Sequence, residues 1–311
     1  MRSLRGPVRA LVRKSASGNT YGAWVSDQRQ LGVVDGDGEL AGMSVFGSYA
    51  DEYDAQRPGY PPAMWDATLG LLRGAERKLS AVDIATGTGR GALELLRRGL
   101  DVTALDADAG MLAEVMKSAT ATADNVGGSL QAVQARAETT GLPEGSADLV
   151  TVLQAFHWFD ADAALAEFHR ILRKKSDDDA GGLLMMAWND RDLSVPWMRE
   201  YEALIEARNP KYNRALKQAE AVIDGGRVFS RAGLFELARD PVIVANPTPR
   251  CSLEAVLALN RTFSYVRNAL SEAAQAELDA DMSALIEGTF GRTDATFHFP
   301  WVTKAWLLRP V

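Results

Sequence analysis

The chain has 311 residues, 47% of them hydrophobic and 24% charged, a globular composition with enough apolar content for a sizeable core. Net charge is −7, but residues 1–26 hold five bases and no acid, so the remainder carries 29 bases against 41 acids, or −12. A body that acidic argues against a general nucleic-acid surface, which needs a basic stripe. One cysteine, Cys251, excludes an internal disulfide and a Cys-x-x-Cys metal or redox pair. His157, His169 and His298 lack the short spacing of a metal site, so no metal is expected. No apolar run reaches the roughly 20 residues of a membrane span.

Residues 1–42 read as an extension, flexible or targeting. Arg2, Arg5, Arg9 and Arg13 recur at spacings of three and four with apolar residues between them, as in an organelle presequence, although Gly6-Pro7 interrupts any helix. A cytoplasmic protein with a disordered tail is the other reading. Gly32 to Gly42 reads as a linker.

From Phe46 onward strands and helices alternate. Helices are expected at Ala63–Arg73, Gly91–Arg98, Ala109–Thr122 and Asp160–Arg173. Strands are expected at Leu79–Ala85, Asp101–Asp106, Leu130–Ala135, Ala147–Gln154 and Gly182–Trp188. That alternation predicts an α/β class fold, a doubly wound, mostly parallel sheet covered by helices. Residues 192–232 read as a helical cover, with strands resuming at Val242–Ala245 and Thr296–Leu308.

Ligands of such sheets sit beyond the carboxyl ends of the strands. Three suggestive segments fall there: the Gly-rich turn Gly87–Gly91, Asp106, and Phe156-His157-Trp158. Glycines in a strand-to-helix turn admit a ligand close to the backbone, and a carboxylate about 19 residues on can reach ribose hydroxyls. The pair indicates a nucleoside-containing cofactor. Gly87-x-Gly89-x-x-Ala92 formally matches a dinucleotide fingerprint. Asp83 inside the first strand instead favours a ligand bearing an ammonium and a sulfonium, S-adenosylmethionine over NAD, because a carboxylate repels a pyrophosphate. The other reading of Asp83 is a strand carboxylate that caps a nearby backbone group.

VDIATGTGRG (Val82 to Gly91) resembles motif I of class I S-adenosylmethionine-dependent methyltransferases. With FGSYADEYDAQRPGYP (Phe46 to Pro61), LQAFHWFD (Leu153 to Asp160), AWNDRDLSVPW (Ala187 to Trp197), TFSYV (Thr262 to Val266) and FPWVTKAWLLR (Phe299 to Arg309), the chain resembles the small-molecule group related to trans-aconitate methyltransferases, over residues 43–311. The resemblance implies a Rossmann-like sheet of seven strands and S-adenosylmethionine as cofactor. It implies that Ala85, Gly87 and Gly89 contact the methionine part and that Asp106 holds the ribose. Ala137 and Glu138 would border the adenine, though without the Asp-Ala or Asp-Val neighbours usual there. Gln154 and Phe156 would line the methyl-transfer side, and Tyr49, Tyr53 and Arg57 would close over the cofactor.

His157 is the candidate base, or else an orienting residue between two aromatics. Trp158 and Trp188, at strand ends, are candidate pocket walls. Arg191 and Arg250 are candidate binders of an anionic acceptor, Arg191 favoured by its place in WNDRD. The expected reaction is methyl transfer to a small organic acceptor, an oxygen of a carboxylate or hydroxyl. An NAD-dependent oxidoreductase and a non-catalytic cofactor-binding regulator are the alternatives.

Overall fold

The structure is a computed structural model that describes residues 13–14, 58–72, 77–122, 127–176, 180–209, 212, 223, 233–291 and 296–311. The chain divides into two compact units, one of Met1–Ala50 with Gly74–Leu184 and one of Asp51–Arg73 with Met185–Val311. Most of the expected extension, most of the second half of the 192–232 cover and the Asp177–Asp179 run lie outside the described residues. Within the extension Arg13–Lys14 pairs in parallel with Val133–Gln134.

In the second unit helix α1 spans Pro62–Gly70. The first unit then runs β1 (Ser80–Ile84), α2 (Arg90–Arg97), β2 (Asp101–Asp106), α3 (Ala109–Thr122), β3 (Ser129–Gln134), β4 (Leu149–Leu153) and α4 (Ala161–Ile171). The four strands are parallel in the order β3-β2-β1-β4. Val82, Ile84, Val102, Ala104, Leu105, Val150 and Val152 are buried, the near-continuous run required of strands covered on both faces. The chain steps outward from β1 to β3 and then returns to the other side of β1. That reversal puts the topological switch point between β1 and β4.

The opposite ends of the strands are clamped by Asp148. Its side chain accepts from both Arg77 guanidinium ends, from Arg173 Nε at 2.8 Å and from Ser80 N at 2.9 Å. This ties the start of β1 to the start of β4 and to the chain leaving α4. Burial acts to raise the Asp148 pKa. The hydrogen bonds from Arg77, Ser80 and Arg173 outweigh it and hold the carboxyl below its usual range.

The second unit contains most of β5 (Leu183–Arg191), then α5 (Pro196–Arg208), β6 (Phe235–Leu237), β7 (Val242–Asn246), β8 (Arg250–Cys251), α6 (Leu253–Arg261), α7 (Ser264–Arg267), α8 (Glu272–Phe290), β9 (Phe297–His298) and β10 (Trp301–Pro310). β6 and β7 both pair antiparallel with β10. A separate antiparallel pair joins β8 and β9. The expected strand Thr296–Leu308 is thus two strands, broken at Phe299-Pro300, because proline has no N–H for a ladder. Trp197, Tyr201 and Ile205 of α5 pack with Val256, Leu259, Leu278, Met282 and Phe299 in one apolar cluster. Two buried asparagines, from β5 and β7, hold the Pro58-Gly59 segment. Asn189 Nδ2 donates to Pro58 O at 3.3 Å and Gly59 O at 3.0 Å, and Asn246 Nδ2 to Gly59 O at 2.7 Å. Thr303 Oγ1 donates to Asn189 Oδ1 at 2.6 Å. No helix among the described residues is long and apolar enough to cross a membrane.

Asp148→Asn leaves Arg77 and Arg173 facing a neutral partner, so it should lower stability by about 2 kcal/mol at neutral pH, discounted from a fully buried pair because both arginines are partly exposed. Since the folded pKa is depressed, the wild type's advantage is present above about pH 4 and lost as pH falls through the folded value. Urea unfolding of both proteins from pH 7 downward checks this, with the gap expected to narrow in acid.

Candidate active site

The strand-to-helix turn after β1 is built on one buried carboxylate. Asp83 is 1% exposed. Its Oδ2 accepts from Thr86 Oγ1 at 2.6 Å and from Ala92 N at 3.0 Å, and its Oδ1 from Thr151 Oγ1 at 2.5 Å. Strand β1, the turn, the first turn of α2 and strand β4 thus converge on it. Burial pushes the Asp83 carboxyl up to about 6, against the three hydrogen bonds that favour its charged form. Both of its oxygens accept from protein donors.

The turn is tightly packed beneath and open above. A Cβ on Gly91 would lie 2.5 Å from Leu153 Cδ1 and 2.7 Å from Asp83 Oδ1, so the helix can sit this close to the strands only with glycine there. Gly87 has φ +55°, and a Cβ built on it meets nothing within 4 Å. Ala85 (φ 51°) and Gln154 (φ 57°) are the two non-glycine residues with positive φ among the described residues. They terminate the adjacent parallel strands β1 and β4. Left-handed backbone in a residue with a Cβ costs on the order of 1 kcal/mol and clusters at functional sites.

Gly87 and Asp106, 19 residues apart, are in contact. Asp106 Oδ2 accepts from Gly87 N and Oδ1 from Asp108 N, both at 2.9 Å. Burial raises the Asp106 pKa against those backbone donors. Gln134, at the end of β3, donates through Nε2 to Ala107 O at 3.1 Å and steadies the loop. Thr86, Thr151 and Gln134 were not singled out from the sequence. A hydroxyl three residues after Asp83 was the available signal for Thr86, but Thr151 and Gln134 needed the strand register.

Ala137 is buried just after β3. Glu138 forms a strut. Its Oε1 accepts from Asp160 N at 3.1 Å and its Oε2 from Arg136 Nε at 3.4 Å. It joins the loop after β3 to the start of α4, where Asp160 caps Ala163 N. Beyond Gln154, Phe156–Trp158 forms one 3-10 turn. The Phe156 ring is 2% exposed and packs edge-on against Phe159 at 6.1 Å. His157 and Trp158 are exposed, their rings 4.9 Å apart, and Trp158 is 55% exposed, an unusual position for an indole.

Trp188 and Arg191 belong to the second unit. Trp188 is 2% exposed, packs edge-on against Trp306 at 5.9 Å, and its Nε1 has no partner among the described residues. Arg191 is buried. Its Nε donates to Glu202 Oε2 at 2.6 Å, and its two terminal nitrogens to the Tyr265 and Tyr212 hydroxyls at 2.9 Å each. The Phe263 ring centroid lies 5.1 Å from its guanidinium carbon. Tyr49, Tyr53 and Arg57 lie outside the described residues.

Residues 82–176 match the methyltransferase domain family. An uncharacterized methyltransferase of Mycobacterium tuberculosis is 37% identical over 160 residues, covering 51% of this chain and 58% of that protein. The match thus spans little more than half of that relative's length. An uncharacterized methyltransferase of Schizosaccharomyces pombe is 27% identical over 238 residues, 76% of this chain and 84% of that protein. A structure from Anaeromyxobacter dehalogenans, provisionally assigned as a type II methyltransferase, superposes with a TM-score of 0.56 at 22% identity. It covers 81% of this chain and 97% of its own. That likeness shows the fold: the Rossmann-like, mostly parallel sheet with flanking helices.

The raised Asp83 pKa makes a stability prediction. A carboxyl that titrates near 3.8 unfolded and about 6 folded stabilises the fold fully below pH 4 and loses that contribution as pH rises through 6. Asp83→Asn removes the term, so its stability relative to wild type should climb by up to about 3 kcal/mol between pH 4 and pH 6 and level off above. Denaturant midpoints measured across that range check the slope.

Proposed function

The chain has the class I methyltransferase fold, whose cofactor is S-adenosylmethionine, and from that premise we propose that it transfers a methyl group to an oxygen of a small organic acceptor. The observation that carries the reading is the meeting of Gly87 N and Asp106 Oδ2 at 2.9 Å beside two strained strand ends, Ala85 and Gln154, at the switch point. These residues fit an adenosyl ligand. The open space above Gly87 lets a ligand lie against backbone, and Asp106 is a carboxylate suited to a ribose diol. Ala85, Gly87 and Gly89 would hold the methionine part, with Gln154 on the same side.

When bound, the cofactor supplies an electrophilic methyl on a sulfonium that leaves as a neutral thioether, so no leaving-group acid is needed. The protein's task is alignment: holding an acceptor oxygen about 3 Å from the methyl carbon can supply much of the rate. The exposed His157–Trp158 pair, just beyond Gln154, is suited to that. Trp158 offers an indole surface, and His157 takes the proton where the acceptor is a hydroxyl. A carboxylate acceptor needs no base.

Thermal denaturation with S-adenosylhomocysteine, S-adenosylmethionine and NADH tests the cofactor assignment. The two adenosyl ligands should each add about 2.7 kcal/mol at 100 times their dissociation constants, and Asp106→Ala should abolish the shift. Stabilisation by NADH alone would make the protein a dinucleotide binder. Tight adenosyl binding with no turnover on any acceptor would leave a non-catalytic regulator. Once an acceptor is found, His157→Gln should lower kcat by about 100-fold for a hydroxyl and leave a carboxylate unaffected.

A further inference from the structure

The second unit carries a cleft of about 450 Å³ lined by Trp197, Phe290, Phe297, Arg250, Thr296 and His298, with Val195 and Pro300 closing its apolar side. That volume falls in the range of small-molecule sites. Its wall is aromatic. Phe290 and Phe297 stack in parallel at 4.5 Å, and the Trp197 ring stands edge-on to both, at 5.4 Å and 5.9 Å. Phe290 is 37% exposed, an open ring at the end of α8.

The polar side is built rather than incidental. Arg250 and His298 face each other across the β8–β9 ladder. Arg250 Nε donates to Thr296 Oγ1 at 3.0 Å and Nη2 donates to Thr296 O. This docks the guanidinium by one edge and leaves Nη1 without a partner among the described residues. Holding an arginine this way removes much of the rotamer entropy that a ligand would otherwise have to freeze. His298 Nδ1 lies 2.9 Å from Thr248 O. A carbonyl only accepts, so Nδ1 carries the proton and the ring orientation is fixed. A fixed guanidinium beside an aromatic wall matches a ligand with a carboxylate at one end and a flat apolar ring at the other.

We propose that this cleft is a binding site for a small aromatic carboxylate, its acid group held at Arg250 and its ring against the exposed Phe290. The inference stands on the second unit alone and needs no methyl transfer. Titration calorimetry of the full chain with phenylacetate and with its neutral isostere phenylacetamide tests it, without cofactor. The acid should bind about tenfold tighter than the amide. Arg250→Met, which keeps the apolar stem of an exposed side chain, should erase that preference and spare the weaker amide binding. Phe290→Ala should weaken both ligands. Equal affinity for acid and amide in the wild type, a preference that survives Arg250→Met, or no binding of either ligand would overturn the proposal. Thermal melts of both variants confirm that each is folded.

Discussion

A single buried carboxylate organises the first unit. Helix α2 begins at Gly89, which has no side chain to cap the helix's first backbone donors. Asp83 supplies that cap from the neighbouring strand by accepting from Ala92 N, and the positive end of the helix dipole favours an anion there. The same carboxylate accepts hydrogen bonds from the hydroxyls of Thr86 in the turn and Thr151 in β4. These three donors offset only part of the desolvation, which still lifts the pKa to about 6. An apolar residue at this position would leave the Ala92 N–H without an acceptor in the interior.

The strain at the strand ends follows from that anchor. Ala85 lies two residues after Asp83, and Gln154 three residues after Thr151, so each left-handed residue leaves a strand whose preceding turn of chain is fixed. Strain of this kind persists only where the surroundings over-determine it. Here it turns the backbone away from β1 and β4 at the switch point, where Gly87 faces open space and Asp106 reaches it from the next strand. The fold's polar anchor and its open edge are thus two sides of the same turn.

Much of this was legible in the residues. The buried strands of a parallel sheet are short apolar runs, and Val82, Ile84, Val102 and Leu105 announce them directly. The Gly87–Asp106 spacing placed two partners that meet at 2.9 Å. What escaped were side chains whose partners lie far along the chain. Nothing local reveals Glu202, Tyr212 and Tyr265 around Arg191. Asp160 N, 22 residues on from Glu138, is equally invisible to a local pattern. The break in the last strand was visible as Pro300 and went unused.

The central claim is that Asp83 acts through the geometry of the turn and not through its charge on a ligand. The most direct test is the affinity of S-adenosylhomocysteine for Asp83→Asn and Asp83→Ala, measured by titration calorimetry at pH 8 on protein shown to be folded. Asparagine can still accept from Thr86 and Ala92 with its oxygen while its amide donates to Thr151. Its affinity should therefore stay within about threefold of wild type, whereas alanine should lose about tenfold or more. A comparable loss in the asparagine variant would contradict the account and return Asp83 to a direct charge contact with the cofactor.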